Sequence, residues 1–112
     1  MNLSNEQLLA GETRQAYRFF QRLRGLMFTG QLNSGAGLHI KPCRSIHTFF
    51  MNYPIDVVYV NELNVVIAID ESMEPGKLGK VYADAASVVE LPVGTVKKTM
   101  TKQGHSLDFV NN

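Results

Sequence analysis

One cysteine, Cys43, is all the chain has. That excludes an intrachain disulfide framework and suits a reducing compartment. No apolar run approaches the ~18 consecutive residues of a membrane span. The N-terminus, Met-Asn-Leu-Ser-Asn-Glu, has no basic n-region and no apolar h-region, so no secretory signal is expected. Glycine-rich phosphate loops, nucleophile-elbow serines, HExxH and paired CxxC are also missing. Nucleotide hydrolysis, serine hydrolysis and zinc proteolysis therefore have no support. There is no internal repeat, low-complexity tract or linker. These absences lead us to expect a cytoplasmic, soluble protein without a membrane span.

What is present bounds the fold. The 112 residues fit one domain spanning residues 1–112, and 45% hydrophobic against 19% charged content suffices for a core and argues against disorder. The net charge of +1 implies no nucleic-acid or membrane partner. Its distribution is uneven. From Thr13 to Ile55 there are five arginines, one lysine and no acidic residue, whereas from Asp56 to Glu90 seven acidic residues face two lysines. The two halves could complement each other within one fold, or the first could form an anion-binding face.

Periodicity gives the elements. Ala16, Phe19, Phe20, Leu23, Leu26 and Met27 share one helical face, opposite Arg14, Arg18 and Arg22. Leu38–Ile40 is a short strand stopped by Pro42. Ser45–Phe50 is β-branched and aromatic, so it also reads as a strand. Ile55–Val60 is apolar at nearly every position and is expected to be buried on both faces. The Asn61–Asn64 turn should return the chain through Val65–Ile69, with a loop from Asp70 to Lys80 turning at Pro75-Gly76. A strand over Ala86–Leu91, a short polar helix or turn over Thr95–Lys102 and a closing strand over Ser106–Val110 complete the chain. Residues 1–12 are compatible with a short helix capped by Ser4-x-x-Gln7 or with two short strands. About six short strands and one helix predict a mainly β fold, a small antiparallel β-sandwich or barrel with one N-terminal amphipathic helix (α+β by strict count).

The residue types for chemistry cluster at Pro42–Asp56. Cys43-x-x-x-His47 could form a thiolate–imidazolium nucleophile, with Asp56 or Glu90 orienting the imidazole. Cys43 could equally be a buried small hydrophobe and His47 a neutral, backbone-bonded side chain. His39, Cys43 and His47 are spaced four and four, yet residues four apart on a strand lie about 13 Å apart, too far for one ion. No metal and no cofactor are expected. Asp56 and Glu90, at opposite ends of apolar strands, should be exposed or paired, with Arg22 or Arg24 as partners. Phe49, Phe50, Met51 and Tyr53 are core, or a patch beside a cleft. Candidate ligand contacts are then Arg22, Arg24, Arg44, Phe49, Met51 and Tyr53.

The runs Arg22-Leu-Arg-Gly-Leu-Met27, Lys41-Pro-Cys-Arg-Ser-Ile-His-Thr-Phe-Phe-Met-Asn-Tyr-Pro-Ile-Asp56 and Val89-Glu-Leu-Pro-Val-Gly94, in this order, resemble the domain-of-unknown-function family numbered 192, a family of uncharacterised proteins. The resemblance runs from about Thr13 to Leu107. It implies a small β-sandwich or barrel with an N-terminal helix and favours a β-hairpin for the first twelve residues. It brings no established activity. Many members carry a signal or lipoprotein segment, which is not expected here. Gly76 and His105 stand where members often have tryptophan and aspartate. Members do not generally have a histidine at the position of His39. Two functions follow as expectations: a binding module for an unknown small molecule or partner protein beside Cys43–Tyr53, or a hydrolase or acyl-transfer enzyme using Cys43 and His47.

Overall fold

The computed structural model describes residues 2, 4, 12–16, 36–48 and 53–109. Among them, five strands form one sheet in the order β1-β2-β5-β3-β4. The strands are β1 (Glu12–Ala16), β2 (Ala36–Ile40), β3 (Ile55–Val60), β4 (Val66–Met73) and β5 (Ser87–Pro92), and one short helix follows, α1 (Thr95–Lys98). β2, β5, β3 and β4 are antiparallel neighbours, and β1 joins β2 in parallel. The ladder has two free ends, β1 and β4, so the described strands form an open sheet and neither the expected barrel nor a sandwich. No helix among the described residues is long and apolar enough to cross a membrane.

β3 is the centre of the molecule. Its six residues are all buried, as the unbroken apolar run predicts. Alternation along the strands divides the core in two. On one face, Leu38, Ile40, Ile55, Val57, Tyr59 and Val88 pack together with Ile46 and Ala85 from the connecting segments. On the other, Val58, Val60, Val66, Val89 and Leu91 pack with Val96 of α1 and Leu107.

The turns between strands follow from local chemistry. Asn61 Oδ1 accepts the N–H groups of Leu63 and Val65 at 2.9 and 3.0 Å, closing the β3–β4 hairpin. β4 contains two bulges, where its register against β3 slips near Ile67 and again between Asp70 and Met73. Ser72 in the second has φ +53°. Asp56, buried on β3, accepts Ser72 N–H at Oδ1 and Val96 N–H at Oδ2, both at 2.9 Å. One carboxylate thus satisfies two backbone donors, one from the bulge and one from the first turn of α1.

Several expectations are corrected. Ala16 ends a strand and does not start a helix, and the rest of the helix expected to Met27 lies outside the described residues. The described part of Ser45–Phe50 is not a sheet strand. It pairs once, His47 against Leu78, because Ile46 and Thr48 exchange backbone hydrogen bonds with Gly76, Lys77 and Gly79. Thr48 Oγ1 reinforces this by donating to Glu74 O and accepting from Lys77 N. β4 continues to Met73, so the loop expected from Asp70 starts later. In the expected closing strand, Ser106 and Leu107 make single pairs with Val65 and Asn2. Of the first twelve residues, Asn2 is fully buried, hydrogen-bonded to Thr101 and His105. The Ser4-x-x-Gln7 cap and most of the expected hairpin lie outside the described residues.

Candidate functional site

The sequence-derived candidates fall in different places. Arg22, Arg24, Phe49, Phe50 and Met51 lie outside the described residues. Arg44 and His47 are exposed. Cys43 is half-buried and packs on the first core face, donating its thiol hydrogen to Ser45 O at 2.9 Å. That bond requires the protonated thiol. Tyr53 packs on the same face. His39 projects to the opposite face, where it stacks on Phe109 with ring centroids 4.1 Å apart. Burial, with Lys41 adding, lowers its pKa to about 4, which favours the neutral imidazole. His39 and Cys43 thus lie on opposite sides of the sheet.

Asp56 and Glu90 are both buried, and the arginines expected to pair with them, Arg22 and Arg24, lie outside the described residues. Asp56 also sits on the second face, and backbone amides occupy both of its oxygens, so it does not orient an imidazole through them. Glu90 sits on the first face, since it pairs in register with Leu38 on β2 and Val57 on β3, both members of that core cluster. It is 3% exposed, and its Oε2 has no hydrogen-bond partner among the described residues. Burial pushes its pKa up to about 8.

The same face carries a second polar group. Tyr59, two residues from Val57, is fully buried and donates its hydroxyl to Asp70 Oδ2 at 2.9 Å. Burial first, then the Asp70 bond and charge, raises the Tyr59 pKa. Tyr59 packs on Tyr82 at 4.4 Å between centroids. Glu90, Val57 and Asp70 form one register row across β5, β3 and β4. The two carboxyl-bearing residues are therefore two strand spacings apart, roughly 10 Å. Tyr59 is the diagonal neighbour of Glu90, roughly 7–8 Å between Cβ atoms. Among the described residues this face gathers Glu90, Asp70, Tyr53, Tyr59, Tyr82 and Cys43. Sequence reasoning missed Tyr59, Asp70 and Tyr82. One signal was readable: a tyrosine within a fully buried strand needs a partner for its hydroxyl.

Gly79 closes the edge of this region. Its N–H donates to Ile46 O at 2.8 Å and its carbonyl accepts from Ser45 Oγ at 3.1 Å. A Cβ there would stand 2.9 Å from Ile46 O and 3.1 Å from Tyr59 Oη. Backbone lies on both sides of that contact, so Gly79→Ala should lower stability by about 1–3 kcal/mol. Urea unfolding midpoints check this, and an unchanged midpoint would show that the close approach is not needed.

Comparison with known proteins places the chain. The structure of a protein of unknown function from Novosphingobium aromaticivorans DSM 12444 superposes with a TM-score of 0.78 at 18% identity, covering 87% of this chain and 74% of that one. A proposed transcription regulator from Sinorhizobium meliloti 1021 superposes with a TM-score of 0.74 at 22% identity, covering 86% and 79%. At these identities the likeness shows the fold alone. In sequence, the chain is 29% identical to a UPF0127 protein of Thermococcus sibiricus, covering 97% of this chain and 73% of the relative. A UPF0127 protein of Thermococcus gammatolerans is 27% identical, covering 88% and 67%. The profile of DUF192, described as "Uncharacterized ACR", matches residues 2–109, nearly the full length, and the chain belongs to that family.

Proposed function

We propose that the chain is a binding module that takes a small ligand on the sheet face bearing Glu90, beside Cys43 and Tyr53. The observation that carries this reading is Glu90 Oε2, buried and without a hydrogen-bond partner among the described residues. Buried polar atoms are nearly always satisfied, because an unsatisfied one costs roughly 1–3 kcal/mol. A ligand donor at this position would remove that cost. Tyr59, Asp70 and Tyr82 add polar and aromatic groups on the same face. The interior position of the oxygen favours a small ligand over a partner protein. Thiol catalysis has no observation of this kind behind it, since the Cys43 thiol is directed at the Ser45 carbonyl and His47 is exposed.

The test is a thermal-shift screen over amines, sugars, anions and metal ions. A native-state ligand at a hundred times its Kd stabilises by about 2.7 kcal/mol, which a melting curve resolves. The expected result is at least one class that raises Tm for the wild type and not for Glu90→Gln. A hit that raises both equally would remove Glu90 from the site. A flat screen across all four classes would overturn the reading.

A further inference from the structure

We propose that the group received at Glu90 is a cation with hydrogen-bond donors, a primary ammonium or a guanidinium; the inference rests on the preceding reading of this face as a ligand site. The open atom is a carboxyl oxygen, buried between Leu38 and Val57 in register. A ligand group that only donates satisfies it, and ammonium and guanidinium groups only donate. The titratable groups on the same sheet face are Asp70 on β4, Tyr59 on β3, and Tyr53, Cys43 and Tyr82 from the connecting segments. On β1 the residue in the same register row is Arg14, two strands from Glu90. Every lysine and arginine whose burial is described, including Lys41, Arg44, Lys77 and Lys80, is exposed.

An anion on this face would meet Glu90 and Asp70. Positive charge is the sign complementary to the acidic residues on this face. The proton account follows from the carboxyl's state. In the free site Glu90 is protonated at neutral pH, its pKa held near 8 by burial. Binding of the cation ionises it, and the carboxyl proton leaves to solvent. Affinity should therefore rise about tenfold per pH unit up to about 8 and level off above it.

The experiment uses n-butylammonium and agmatine as probes, with n-butanol and butyrate as neutral and anionic counterparts. Tm shifts are read at pH 6, 7, 8 and 9, and calorimetry in two buffers of different ionisation enthalpy counts protons. The expected result is a shift with the two cations alone, growing with pH, and release of close to one proton at pH 7. Glu90→Gln should weaken binding at least tenfold and abolish its pH dependence. Equal shifts from butanol or butyrate would overturn the cation assignment while leaving a binding site in place. So would silence from both cations alongside a Glu90-dependent hit from another class in the wider screen. Cation binding that survives in Glu90→Gln would overturn it as well.

Discussion

Glu90→Gln should remove a pH dependence of stability that the wild type shows between about pH 4.5 and 8. The carboxyl ionises near its ordinary 4.5 in the unfolded chain and near about 8 in the fold, where burial disfavours the charge. Below that window both states hold the proton and the protein has its full stability. Within the window the unfolded chain ionises first, so stability falls as pH rises. Above about 8 both states are ionised and the loss is complete. A shift of this size corresponds to a loss on the order of 5 kcal/mol, a large part of the roughly 5–15 kcal/mol that holds a typical domain together. Glutamine cannot ionise, so the variant should overtake the wild type in alkaline solution. Urea unfolding at pH 5, 7 and 9 measures the difference, and parallel pH slopes in the two proteins would sink the argument.

The second large effect is expected at Asp56. Asp56→Ala leaves two backbone donors, the part-buried N–H of Ser72 and the buried N–H of Val96, without their acceptor. Hydrogen bonds to a charged group contribute about 1.5–3 kcal/mol each, so the loss should be on the order of 3–5 kcal/mol. Asp56→Asn keeps one acceptor and turns its amide hydrogens toward the other N–H, so it should recover only part of that. Hydrogen exchange adds a local reading: the Ser72 and Val96 amides should lose protection beyond the global decrease. A stability within about 0.5 kcal/mol of wild type would show that water replaces the carboxylate at no cost.

The sequence displayed the elements whose stability comes from apolar burial. β3, the first part of β4, and β5 are β-branched runs between turn signals, and such runs have few alternatives to a buried sheet. β1 was hidden because Glu-Thr-Arg-Gln-Ala has no apolar alternation; its backbone bonds come from β2, a long-range partner that local patterning does not reveal. The segment 45–48 has strand-like side chains, yet its hydrogen bonds go to a loop. At the candidate site, sequence supplied residue types and not faces. Cys43, Tyr53 and Glu90 share a face, while Asp56, two residues after Pro54, lies on the other, since one step along a strand reverses the side. Asp70 was hidden by its position at an expected loop, and only the extension of β4 brings it under the Tyr59 hydroxyl.

The two slips in β4 bear on how the molecule avoids its own copies. Among the described strands β4 stands at the edge, with Ile67 and Ile69 half-buried, a composition that invites edge-to-edge pairing and fibril growth. The extra residues near Ile67 and before Met73 break the regular spacing of outward N–H and C=O groups that an incoming strand would need. At the start of the strand, Val66 already gives its N–H to His105 and its carbonyl to Gly104. An apolar strand can thus stand at the border of the sheet while offering a second chain no regular template for addition.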